Sequence, residues 1–214
     1  MKHYIIFTVS CFLLFVSCMI NNIETAQTAP VEQYQYYGSL SPYFYSLRSD
    51  VTNNHFTFLP CTEFMVKSGI NDKCDFGIGL QTIYFAPVLI LNSKYQFLKS
   101  KMDGAVSLEV AWFPGFIFEM NSGTFSLKPT LFFSQEKAHR FPFRIAFGTY
   151  LWPYWDYDEN GFNPSLIANI GFPIRFGQNR KFRLMPDLGF LYDFKTNMTV
   201  QCGLSFSNVG EDNE

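Results

Sequence analysis

The chain reads as an all-β protein: an up-and-down antiparallel transmembrane β-barrel of about ten strands (8–12). Three observations carry that expectation. From residue 33 onward, apolar residues alternate with small or polar ones at a period of two, segment after segment, and no helical period of useful length interrupts them. The segments run to about 9–13 residues, longer than common globular strands and close to what a tilted bilayer-crossing strand needs. Finally, 19% of the residues are aromatic, with 26 Phe and 12 Tyr, while only 16% are charged, where a soluble domain carries about 25%. Such a chain has much apolar surface to cover and few charges to cover it with.

At 214 residues the chain holds one domain with a full core and is too short for two. Sixteen basic against eighteen acidic residues leave no electrostatic footprint for a polynucleotide, which excludes nucleic acid as a partner.

Residues 1–17 read as a secretory signal, with basic Lys2, an apolar run from Tyr4 to Val16 and small or polar residues beyond. The run is too short and wrongly flanked for a membrane span. Its end, Phe15-Val16-Ser17-Cys18, resembles the lipobox of bacterial lipoproteins. That resemblance implies acylation of Cys18; without it, Cys18 is one more small apolar residue of the signal. Residues 18–32 form a polar tether, 33–206 the barrel and 207–214 an acidic tail.

Strands are expected at 33–46, 56–68, 74–84, 87–97, 104–113, 124–134, 141–152, 165–176, 182–194 and 197–206. In the run from Phe182 to Phe194 the face of Leu184, Pro186, Leu188, Phe190 and Tyr192 opposes one of Arg183, Met185, Asp187, Gly189 and Asp193. Residues 165–176 set Leu166, Ala168, Ile170, Phe172 and Ile174 against Ile167, Asn169, Gly171, Pro173 and Arg175 in the same way. Short polar turns at 70–73, 99–103, 135–140 and 177–181 alternate with longer or more aromatic links at 47–55, 114–123 and 153–164. That rhythm suits turns on one side of a membrane and loops on the other. An even count puts both barrel ends on the turn side, the periplasm.

Alternation alone does not say which face points inward. The polar face here lacks the Lys and Glu density of a water-washed exterior and mixes isolated charges with small residues such as Gly77, Gly79, Ala105, Ser107 and Gly171, as a narrow lumen demands. Its charges are Glu63, Asp75, Glu109, Asp187 and Asp193 against Lys67, Lys94, Lys128, Arg144, Arg175 and Arg183. Five acids and six bases are expected to pair across the interior, where an unpaired charge costs several kcal/mol. The opposite reading, a soluble lipocalin-like lipid-binding barrel with its apolar face inward, is the alternative.

The stretch from Glu63 to Gly79, with Glu63, Lys67, Gly69, Asn71-Asp72, Asp75, Gly77 and Gly79, resembles a hairpin common in small bacterial outer-membrane barrel proteins, and Lys94 to Leu98 resembles the strand that follows it. The last strand, Met198 to Phe206, is similar to the C-terminal assembly signal of such barrels, although an acidic tail follows it. The resemblance implies the outer membrane of a Gram-negative-type bacterium, with membrane lipid and the barrel-assembly machinery as partners.

Candidate chemistry is sparse. His55 with Asp50 forms a conceivable rim site, but no base oriented by a carboxylate and no Ser/His pair is visible, so no catalytic residue and no cofactor are expected. Asp156, Asp158 and Asn160 match the opening of a calcium loop, yet Ile167 stands where the bidentate Glu belongs, which makes a polar loop tip the plainer reading. Tyr150, Trp152, Tyr154, Trp155 and Tyr157 are expected at the membrane–water boundary rather than as a ligand-stacking platform. Cys61, Cys74 and Cys202 allow one disulfide and leave a thiol free. The functional expectation is a structural, adhesion or interaction role in the outer membrane without catalysis; a narrow solute channel is the alternative, and the external ligand is unknown.

Overall fold

The computed structural model describes residues 24–48, 55–83, 86–114, 124–136, 141–155, 160–177, 180–193 and 197–209. The signal segment, Cys18, Asp50, Asp156, Tyr157 and Asp158 lie outside them. The strands are β1 (Tyr34–Arg48), β2 (His55–Asn71), β3 (Cys74–Ile83), β4 (Ala86–Leu98), β5 (Asp103–Phe113), β6 (Thr124–Gln135), β7 (Phe143–Trp155), β8 (Asn160–Gly171), β9 (Ile174–Phe176), β10 (Phe182–Asp193) and β11 (Asn197–Asn208). Each pairs antiparallel with its neighbour, and β11 pairs with both β10 and β1, which closes the sheet.

The eleven segments make ten staves of a closed barrel. β8 and β9 are one stave broken at Phe172-Pro173, where the expected strand 165–176 is continuous; Pro173 has no N–H for the ladder, and Phe172 N–H donates instead to the carbonyl of Pro186 at 3.0 Å. Alternation survives the break, with Phe172, Ile174 and Phe176 exposed and Gly171 and Pro173 buried.

The expected 153–164 loop is largely strand. Pro153 pairs with Phe162, Tyr154 with Gly161 and Trp155 with Asn160, because the two-residue period of β7 runs on past Trp152. At the other end, β11 continues through Ser207 and Asn208, residues assigned above to the tail. Asn208 accepts from Tyr36 N–H and donates to the Tyr34 carbonyl, and Val209 N–H donates to Lys181 O at 2.7 Å. Both barrel ends therefore meet on the turn side. The seam itself is keyed by shape: Gly38 faces Phe206 in register, and a Cβ on Gly38 would stand 2.2 Å from the ring that lies across it.

The core is the lumen, and it is polar. In β5, Ala105, Ser107, Glu109 and Ala111 turn inward while Val106, Leu108 and Trp112 face out. Among the described strand positions whose side chains point outward, none is charged; the exposed set is Phe64, Ile78, Leu80, Leu91, Leu108, Phe147, Leu166 and others like them.

Candidate functional site

Register places the inward charges in rows that run across the strands. Lys67 faces Gly77, Gly77 faces Asn92, Asn92 faces Glu109 and Glu109 faces Lys128. The neighbouring row sets Asp75 against Lys94 and then Ser107 and Thr130. A third aligns Arg144, Gly171 and Asp187. Glycine in the middle of a row lets a long side chain lie flat: a Cβ on Gly77 would meet Lys67 Cγ at 2.6 Å, and one on Gly171 would meet the Arg144 guanidinium at 2.9 Å. Arg144 thereby crosses β8 to reach Asp187 at 3.3 Å.

Residues 24–30 belong to the stretch expected as a polar tether. They form a strap inside the turn-side mouth of the barrel, with Glu24, Thr25, Ala26 and Ala29 at 2% exposure or less. The side chains of the wall saturate the strap. Glu24 Oε2 accepts from Lys67 Nζ at 2.6 Å and pairs with Lys94 Nζ at 3.0 Å, while Oε1 accepts from Asn92 Nδ2 at 2.7 Å. Arg183 donates to Thr25 Oγ1 at 3.0 Å, and Ala26 N–H donates to Ser134 Oγ at 3.1 Å. Gln27 bridges Asp103 and Arg175, and Ala29 N–H donates to Asp75 Oδ2 at 2.9 Å. The strap leaves the mouth over Gly69, whose N–H donates to Pro30 O at 3.2 Å. It touches strands β2 to β7, β9 and β10, all round the wall.

The position of the strap has a physical reason. Two buried lysines of the wall, Lys67 and Lys94, share the one carboxylate of Asp75, and a chain segment bearing a second carboxylate satisfies them better than water at a narrow mouth does. Two other inward-reaching acids had been assigned to turns: Asp103, bonded to Gln96 at 3.2 Å, and Glu136, which reaches in to Arg183 at 2.9 Å and Arg175 at 3.2 Å. Arg175 and Arg183 face each other directly across β9 and β10, an arrangement that Glu136 makes tolerable.

Of the lumen charges named from the sequence, Glu63, Lys67, Asp75, Lys94, Glu109, Lys128, Arg144, Arg183 and Asp187 are buried and Arg175 is half-buried. Lys128 pairs with Glu109 at 2.7 Å. The side chain of Asp193 is outside the described set, as are those of Trp152, Tyr154 and Trp155. Tyr150 is buried and shares the inward face of Arg144 and Ala146. Asn160 sits in a strand, and among the described residues no group of three or more His, Cys, Asp and Glu could hold a metal ion. Cys74 and Cys202 are free thiols.

Two acids lie outside the strands and are perturbed by their partners. Burial alone would raise the Glu24 carboxyl, but the Lys67 and Lys94 ammoniums outweigh it and hold it at about 2, below its ordinary 4.5. Glu136 follows the same logic: burial raises it, Arg183 and Arg175 lower it further, and the net shift is downward.

No family model matches the chain and no curated protein matches it. Two solved structures are similar in outline. The translocator domain of the autotransporter NalP from Neisseria meningitidis is 8% identical, with 97% of this chain and 94% of that one covered at a TM-score of 0.44. The N-terminal β-barrel domain of Pseudomonas aeruginosa OprF is 12% identical, with 81% and 96% covered at a TM-score of 0.27. Likeness at that level leaves the chain's own strand pairing as the basis for the fold.

Proposed function

We propose that the protein is an integral outer-membrane barrel, closed at its periplasmic mouth by its own N-terminal residues and serving a structural, adhesion or interaction role rather than open diffusion. The observation that carries this reading is the inversion of the surface: no described outward strand position is charged, while the charges gather in the lumen. A basic residue on that outer band at mid-bilayer costs about 2–4 kcal/mol, so a lipid-facing band is expected to exclude it. A groove of about 270 Å³ on the same face, between Phe147, Leu166, Ala168, Phe190, Tyr192 and Met198, is lined by apolar and aromatic residues. The soluble lipocalin-like alternative needs an apolar cavity inside and a wettable outside, and the side-chain distribution favours neither.

The strap favours interaction over conduction. A narrow channel requires its displacement, which makes the channel reading conditional on residues 24–30. Acylation of Cys18 is supported by its lipobox-like context alone; with Glu24 in the lumen, five residues remain between the two, a reach of about 20–22 Å at full extension. Acyl labelling that disappears in Cys18→Ala would establish it.

The test of the whole reading is physical. Unboiled protein from an outer-membrane fraction is expected to migrate differently from boiled protein on an SDS gel, and the purified barrel to give no steady conductance in planar bilayers. Release by carbonate washing with no gel shift would reject the membrane barrel. An adhesion role further predicts loss of ligand binding when residues 156–159, between β7 and β8, are replaced.

A further inference from the structure

We propose that Lys67, Lys94 and Asn92 form a carboxylate-binding site in the lumen, with Glu24 of the strap as its resident ligand. The cradle is made wholly by the wall. The two lysines, from β2 and β4, are completely buried and converge on one oxygen, while Asn92 takes the other. Asp75 bonds both lysines, at 2.9 Å and 3.4 Å. Without Glu24 it would leave a buried pair of ammoniums sharing a single wall carboxylate at that point. A second carboxylate is what such a pair binds.

The site reads peptide as well as charge. Arg144 Nη1 donates to the Glu24 carbonyl at 3.4 Å and Lys94 Nζ to the Thr25 carbonyl at 3.2 Å. Ser134 Oγ, Asp75 Oδ2 and Gln96 Oε1 accept from the N–H groups of Ala26, Ala29 and Thr28. Ala26 packs in an apolar cluster with Ala105, Phe132 and Ala146. The ligand class is thus a carboxylate, presented by a peptide with an apolar residue two positions after the acid, or a small free carboxylate for which the cradle alone suffices. Tethering gives the resident segment an effective concentration of about millimolar, so the intact chain resists competitors and the vacated site accepts them.

The experiment uses the full chain refolded in detergent, reading the temperature at which the compact gel form converts to the extended one. Glu24→Ala is expected to lower that temperature. Sodium acetate should restore at least half of the loss in Glu24→Ala, leave the wild type unmoved, and fail both in Glu24→Gln, whose side chain still fills the cradle, and in Glu24→Ala/Lys94→Met. Sodium chloride at equal ionic strength should restore nothing. If Glu24→Ala does not fold alone, acetate during refolding should recover the compact form. In a second arm, the peptide of residues 24–30 should bind a chain lacking them, and the same peptide with Gln for Glu should bind at least about tenfold more weakly. Rescue by acetate without peptide binding assigns the site to small carboxylates, and the reverse assigns it to peptides. Failure of both, or equal rescue by chloride, overturns the proposal, while the gel shift of the wild type reports separately on the barrel.

Discussion

Two charge clusters in the same lumen are built in different ways. Glu109 and Lys128 lie directly opposite each other on β5 and β6 and meet at 2.7 Å, so that part of the wall completes its own pair. The cluster of Lys67, Lys94 and Asp75 lies a strand or two away and is completed by Glu24, which belongs to no strand. A pair closed by adjacent strands forms as soon as the hairpin does. A cluster closed by the strap waits for a segment more than forty residues away in sequence from Lys67. The cluster of Lys67 and Lys94 is therefore a part of the lumen whose stability depends on the N-terminal segment, and the Glu109–Lys128 pair does not need it.

Breaking the long-range clusters should have the largest effect. Glu136→Ala leaves Arg175 and Arg183 opposed and is expected to cost about 3–5 kcal/mol, the usual penalty for stranding a buried charge, measured as a fall in the urea midpoint of the folded barrel. Charge exchange sharpens the contrast. Exchanging Glu109 and Lys128 for each other should cost at most about 1–2 kcal/mol because both partners are wall residues. The same exchange between Glu24 and Lys67 should cost clearly more, since Asp75 would then face a second carboxylate; equal costs would contradict the distinction between the clusters.

Glycines offer a smaller perturbation. Gly69→Ala places a Cβ 2.4 Å from the Ala29 carbonyl and pushes on the strap backbone, whereas Gly171→Ala meets side chains alone, the Arg144 guanidinium at 2.9 Å and Met185 Cγ at 3.1 Å. Overpacking of the first kind costs about 1–3 kcal/mol, and the second should cost less; thermal conversion of the compact gel form compares them.

Acid should act on the strap last and mildly. Because the Glu24 carboxyl is held at about 2 from an ordinary 4.5, its contribution is complete above pH 4.5 and fades as the pH falls toward 2. Glu136, also lowered, fades in the same direction. Hydrogen exchange at the amides of Ala26 and Ala29 should accelerate across that interval in the wild type, and a Glu24→Gln chain should show a weaker response.

The wall was legible in the sequence because a strand buried on one face writes its burial as a period of two. The run from Phe182 to Asp193 shows the rule in every other residue, and it also sorted the lysines and arginines into the lumen. The strap was not legible. Glu-Thr-Ala-Gln-Thr-Ala-Pro has no two-residue alternation and consists of small or polar residues, which is how a solvated linker also reads. Glu136 was hidden for a related reason, since a charge in a short turn is normally solvated and nothing local says that this one bends inward. Tyr150 was assigned by residue type to the boundary although its place in the alternation already put it on the inward face.

The position of the strap is the central claim, and accessibility at Ala26, fully buried beside Phe132 and Ala146, tests it most directly. In a chain with its other cysteines replaced, Ala26→Cys should resist a water-soluble maleimide while the barrel is folded in lipid vesicles and react fully once it is boiled. Labelling of the folded barrel at the rate of the boiled chain would place residues 24–30 outside the lumen and contradict the account.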